Sequence, residues 1–185
     1  MEKLKAVKLN DEEFIKMARF CNAGDNHEDN KKRAVLMGFD DAVGIAPGAI
    51  IRMGANGYIG KNSFVGLYCY VNGNVQIEDN VLIGPGCALP AGQHKFDPAT
   101  GWFSARTEND GDESIKIGFG SWLCAHVTVT PGVKIGRANL ICAGAVVTKS
   151  TPDYAIMAGT PAKQIGYIDP ETGEYIWNKG EQADE

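Results

Sequence analysis

Three histidines stand in this chain, at positions 27, 94 and 126. A neutral imidazole, with an unperturbed pKa near 6.5, can take a proton from a hydroxyl at neutral pH. Such a positioned base contributes roughly a hundred- to ten-thousandfold in rate. His94 fits that role best, because it is the first residue of a break between two runs of regular sequence. His27 lies in the polar, turn-rich stretch NAGDNHEDNKKR and reads as solvated. His126 sits in the middle of a repeat unit, where side chains point outward, and reads as a wall residue. Asp97, three residues after His94, could orient an imidazole or bind a substrate, or it could simply form a turn ahead of Pro98. A catalytic zinc site needs three histidines converging from neighbouring elements, and only His94 and His126 lie in the repetitive region, so no metal is expected.

The elements that must position these residues follow from one period. Large aliphatic residues recur every six positions at Ile59, Val65, Val71, Ile77, Ile83 and Leu89, and again at Ile117, Leu123, Val129, Ile135, Ile141 and Val147. Small residues such as Gly60, Gly66, Gly84, Gly118 and Gly136 often follow them. Small or β-branched ones precede the next aliphatic by two: Ser63, Cys69, Val75, Val81, Cys87, Val127, Val133 and Ala145. Neither a helix nor an ordinary hairpin has this period. A short strand and a sharp turn per unit, with three units closing a triangular coil, does. Each coil then stacks on the last at about 4.8 Å. Ile45 and Ile51 belong to an imperfect first coil, with two extra residues in IRMGANGY. Cys69 and Cys87, like Cys124 and Cys142, should face the same way on neighbouring rungs.

Length and composition agree with one folded domain carrying short appendages: 185 residues, 44% hydrophobic, 22% charged, with 23 glycines. The net charge of -5 and the lack of a Lys/Arg cluster argue against a nucleic-acid partner. No apolar run is long enough for a membrane span or a signal peptide, so a cytoplasmic protein is expected, with its five cysteines reduced. Residues 1–44 read as an N-terminal helix and connection. In NDEEFIKMARFC, Asn10 and Glu13 suit a helix start, and Phe14, Met17, Ala18 and Cys21 share a face. The polar stretch from 22 to 33 reads as a surface connection or a piece that orders against a neighbouring subunit. Residues 45–166 form the coil, with an inserted loop at 94–116. Residues 167–185 give a hairpin, YIDPETGEYIWN, and a polar tail.

The hexads, the loop entered through PAGQHKFD, and the closing run with AGAVVTK and AGTPAKQIG carry a resemblance to the hexapeptide-repeat acyltransferases, specifically the galactoside, maltose and polysaccharide O-acetyltransferases. It covers about residues 45 to 166. The resemblance implies a mainly β protein, a left-handed parallel β-helix assembling as a homotrimer, with acetyl-CoA as cosubstrate in the groove between neighbouring coils. It implies that His94 is the general base and that the amide of Ala125 receives the oxyanion. The pantetheine arm would run along Trp122, Ala125 and Ala143, with Thr148, Lys149 and Lys163 toward the phosphates. Cys124 stands where the family has Gly, and a covalent role for its thiol is the minor alternative to direct transfer. Gly166 stands where many relatives have Arg, and Gly66 where sugar acetyltransferases have an Asn that contacts the sugar.

The acceptor side is therefore open. Tyr68, Tyr70 and Asn72 on the wall, with Asp97 and Trp102 in the loop, are candidate acceptor contacts. Phe96, Phe103 and Arg106 lie in the same loop ahead of the acidic stretch from Glu108 to Glu113. Its aromatic residues could stack on a sugar or pack the loop down. The implied activity is acetyl transfer to a hydroxyl of a sugar or similar small acceptor. Alternatives are transfer to an amino sugar, a zinc lyase of the gamma carbonic anhydrase type, and a non-catalytic scaffold.

Overall fold

All twelve large aliphatic positions from Ile59 to Val147 are buried, nearly all completely, and they form one continuous core. The small positions between them, Cys69, Val75, Val81, Cys87, Val127, Val133 and Ala145, are buried in the same cluster. The computed structural model describes residues 9–103 and 112–178. Arg106, the acidic positions 108–111 and the tail from 179 to 185 lie outside the described residues.

Alternation of side chains along each short strand sends the aliphatic inward and its neighbour outward. Strands of two to four residues therefore suffice to line three parallel faces of a left-handed β-helix. The first face stacks Gly44–Ile45, Phe64–Val65, Leu82–Ile83, Trp122–Leu123 and Leu140–Ile141. The second stacks Ile50–Met53, Tyr70–Gly73, Ala88–Ala91, Thr128–Val129 and Val146–Val147. The third stacks Tyr58–Ile59, Val75–Ile77, Ile115–Ile117 and Lys134–Ile135. Cα partners such as Phe64 and Leu82, or Trp122 and Leu140, are 18 residues apart, as the hexads require. The two extra residues of the first coil are absorbed before Tyr58, so that Gly44 partners Phe64. Each fully buried Leu or Ile contributes about 1.5–3 kcal/mol relative to exposure, so the column of aliphatics is the main source of stability.

The long loop leaves the second face after Ala91, the last residue of its ladder, which partners Gly73. The coil resumes at Ile115, which partners Val75; Lys116, expected in the loop, already sits in this strand opposite Gln76. Between these points Phe96–Asp97 and Trp102–Phe103 form an antiparallel hairpin.

The N-terminal helix α1 spans Asp11–Ala23 and starts with the expected capping box, Asn10 accepting from the Glu13 amide and Glu13 accepting from the Asn10 amide. Its apolar residues Phe14, Met17 and Phe20 remain largely exposed, so the described residues do not bury this face. The polar stretch read as a connection contains a second helix, α2, His27–Leu36. Asn26 caps it, Glu28 and Asp29 favour its N-terminal end, and Arg33 its last turn. Its low apolar content hid it from a periodicity reading. At the other end, Ala155–Gly159 continues the first face, Ala162–Ile168 returns antiparallel to it, and Tyr175–Trp177 adds the last strand around the Asp169–Glu174 turn.

Candidate active site

The turn between the first and second faces, the first corner, has the same form on every rung. Its second position is Pro47, Leu67, Pro85, Ala125 or Ala143. Its third is Gly48, Tyr68, Gly86, His126 or Gly144, each with a positive φ between 56° and 74°. This is the type II pattern, which favours proline at the second position. The third residue's N–H donates to the second residue's carbonyl one rung back: Gly86 to Leu67 at 2.8 Å, His126 to Pro85 at 2.8 Å, Gly144 to Ala125 at 2.9 Å. The second position's own N–H has no acceptor in this scheme. Two prolines lose nothing by lacking it, and Leu67, Ala125 and Ala143 donate to no acceptor among the described residues.

The corner between the third and first faces solves the same problem differently. There the amides of Lys61, Phe119 and Arg137 donate to Asp79 Oδ1 at 2.8 Å, Glu78 Oε2 at 2.7 Å and Asp153 Oδ1 at 2.9 Å. Only Asp79 and Asp153, whose carboxylates do the capping, are left uncapped at that position among the described residues. Arg137 also lies between the Phe119 and Tyr154 rings, at 5.5 and 5.9 Å. The first corner, by contrast, carries no Asp, Glu, Lys or Arg in Ala46–Ile50, 66–70, 84–88, 124–128 or 142–146. Amides left open in an uncharged strip can receive an oxygen from outside the fold.

The candidate residues divide between the two ends of the second face. Tyr68, Ala125 and Ala143 line the first corner, with Tyr70 starting a second-face strand beside it and Trp122, 47% exposed, pointing outward from the first face. Asn72 sits within the strand Tyr70–Gly73, toward its other end, and past that end of the second-face strands come His94, Thr148 and Lys149. Ala88–Ala91 alone spans about 10 Å at 3.3 Å per residue. Ala125 precedes that span on the adjoining rung and His94 follows it, so the two flank opposite ends of the second face along the chain. Lys163 is exposed on the strand Ala162–Ile168. A wide concavity lies beside α2, between Lys31, Val35, Leu36 and Asp41, and none of the candidate residues lines it.

Asp97 forms the turn of its own hairpin: its carboxylate accepts from the Ala99 amide at 2.9 Å and the Thr100 hydroxyl at 3.0 Å. Trp102 and Phe103 are 66% and 69% exposed, and Phe103 meets Phe96 edge to face at 5.6 Å. Burial pushes the Cys124 thiol up from its ordinary pKa, and Cys142 adds to the shift; this opposes the thiolate a nucleophile needs. Among the described residues no group of three or more His, Cys, Asp or Glu could hold a metal ion, and no helix is long and apolar enough to cross a membrane.

Two departures from the resemblance have steric causes. A side chain at Gly66 would come within 2.7 Å of the Ile83 carbonyl on the next rung. One at Gly166 would collide with the Ile176 carbonyl, because the last strand covers that position. The open amides as a set are not marked by any motif; prolines at 47 and 85 alternating with Leu67 and Ala125 at equivalent corner positions are the signal that could have found them.

Known proteins agree with this architecture. Residues 56–91 match the family described as "Bacterial transferase hexapeptide (six repeats)". A Schizosaccharomyces pombe protein named "Putative acetyltransferase" is 36% identical over 152 residues, covering 76% of this chain and 70% of that one. The galactoside O-acetyltransferase of Escherichia coli K12 is 30% identical over 138 residues, covering 72% of this chain and 64% of its own length. Among solved structures, a maltose O-acetyltransferase from Clostridium difficile 630 superposes with a TM-score of 0.62 at 26% identity, over 86% of this chain and 90% of that one. The chain belongs to the hexapeptide-repeat acetyltransferases.

Proposed function

We propose that this protein transfers an acetyl group from acetyl-CoA to a hydroxyl of a sugar or similar small acceptor, in a site shared by two copies of the chain within a homotrimer. The observation that carries the reading is the open N–H of Ala125, with that of Ala143 one rung on, in a corner whose counterpart caps such amides with carboxylates. His94 lies at the far end of the same face. A neighbouring copy that sets its far end against this corner completes the site, which is the reason for a ring of copies.

In that arrangement His94 takes the acceptor's hydroxyl proton as the oxygen attacks the thioester carbon. The tetrahedral oxyanion receives the Ala125 N–H, an interaction worth roughly two to three powers of ten in rate. Collapse breaks the carbon–sulfur bond, and the imidazolium returns its proton to the departing thiolate, leaving acetyl ester and coenzyme A. The pantetheine runs along Trp122, Ala125 and Ala143, with Thr148, Lys149 and Lys163 toward the phosphates. Tyr68, Tyr70 and Asn72 face the acceptor, and Trp102 closes over it from the hairpin that Asp97 shapes. The names of the galactoside and maltose enzymes support a sugar acceptor and oxygen as the attacking atom.

Calorimetry with coenzyme A, followed by thiol release from acetyl-CoA in the presence of sugars, tests the reading. Binding with His94-dependent thiol release is expected; a wild-type protein that does not bind coenzyme A would sink it. His94→Ala is expected to keep that binding while turnover falls at least a hundredfold.

A further inference from the structure

Leu67 repeats, two rungs before Ala125, the open amide of the first corner, and neither neighbouring rung offers one, since Pro47 and Pro85 flank it. The corner folds with or without an N–H at this position, so the Leu67 amide is free to serve a ligand. Tyr68, the next residue, is 63% exposed and lies across Gly48, where any side chain would collide with its ring. His126 lies in the same way across Gly86. Both residues hold positive φ values, 56° and 59°, which non-glycine residues adopt only at some cost. The result is a strip in which Leu67 N–H and Ala125 N–H stand two rungs apart, roughly 10 Å, with Pro85 and the His126 imidazole between them.

We propose that Leu67 N–H, the Tyr68 ring and the His126 imidazole form the acceptor subsite, and that it selects an uncharged, hydroxyl-bearing ring; this rests on the acetyltransferase reading above. The amide donates to a hydroxyl oxygen. Tyr68 supplies an apolar face with a polar tip, which suits the alternating faces of a sugar. His126, carrying one donor and one acceptor nitrogen when neutral, meets a second hydroxyl. No Asp, Glu, Lys or Arg of this corner would pair with an ionised ligand, whereas a hydroxyl needs only the donors and acceptors it offers. The ring would lie on the Leu67 side of Ala125, opposite Ala143, so that its reacting hydroxyl reaches the thioester held at Ala125.

Amide-resolved NMR of the full-length protein separates the two halves. Coenzyme A is expected to shift Ala125 and Ala143 and leave Leu67 in place. Maltose and methyl galactoside are expected to shift Leu67, Tyr68 and His126, whereas glucose 6-phosphate is not. Leu67→Pro should fold, given the prolines on both adjacent rungs, and weaken sugar binding at least tenfold with coenzyme A binding unchanged; Leu67→Ala, which keeps the amide, should bind as wild type. The proposal is overturned if no neutral sugar moves Leu67, if the phosphorylated sugar moves it equally, or if a folded Leu67→Pro binds sugar normally. Failure of coenzyme A to shift Ala125 and Ala143 would count against the acetyltransferase reading and leave the sugar result standing by itself.

Discussion

Ala125 occupies on its rung the turn position that Pro85 occupies on the rung before, and its N–H donates to no group among the described residues. A fold that places proline there twice does not use that hydrogen, so its cost or value is set by what arrives from outside.

Ala125→Pro is therefore a deletion of one hydrogen-bond donor with the turn preserved. We expect a melting temperature within a few degrees of wild type and a kcat lower by roughly a hundred- to a thousandfold. Circular dichroism with steady-state thiol release checks both. A folded variant with wild-type kcat removes Ala125 from the chemistry.

The separation of His94 and Ala125 along the second face predicts complementation. His94→Ala and Ala125→Pro chains, each inactive alone, should regain activity when co-expressed and mixed, because one shared site in about four then has both intact groups. Mixed samples as inactive as their parents would place the site within a single chain.

Glu78 and Lys116 form a 2.7 Å ion pair on the third face. The hydrogen bond from Lys116 is the first cause holding the Glu78 carboxyl below its ordinary pKa, with the Phe119 amide and the charges of Lys116 and Arg137 assisting. A carboxyl lowered in the folded state stabilises above its unfolded value of about 4.5 and loses that contribution as pH falls through the lower, folded value. Stability should thus drop on acidification below about pH 4.5, and Glu78→Gln should flatten part of that slope. At neutral pH the loss should be about 1 kcal/mol or less, since the pair is partly exposed. Melting temperature against pH for both proteins measures it.

Leu82 and Leu123 occupy first-face strands on consecutive rungs, one pointing out and 49% exposed, the other fully buried. Leu123→Ala should cost about 2–5 kcal/mol, through lost burial and a cavity in the axial column. Leu82→Ala should cost well under half of that. Urea denaturation of the two variants distinguishes them.

The core was legible because a six-residue period with one large inward side chain leaves no second solution: all twelve aliphatics in register from Ile59 to Val147 are buried. The α1 capping box was legible for the same reason, as a local pattern with a local partner. Helix α2 was not, since it is held by the Asn26 cap, charge placement and the reach of Arg33 to the Ile45 carbonyl at 3.1 Å, none of which has an apolar period. The resumption of the coil at Ile115 also escaped, because only pairing with Val75 shows that a residue beside a loop is already strand.

The amino-acid sequence by itself determined the coil, its register and the family run that marks Ala125, Ala143 and the loop at His94, because these depend on spacings along the chain. Tertiary structure decided which amides are spent and which are open, since a hydrogen bond between rungs joins residues as distant along the chain as Gly86 and Leu67 or His126 and Pro85 and is invisible until the rungs stack. It likewise decided that His94 and Ala125 face different ends of one sheet, a fact of strand direction rather than of sequence distance.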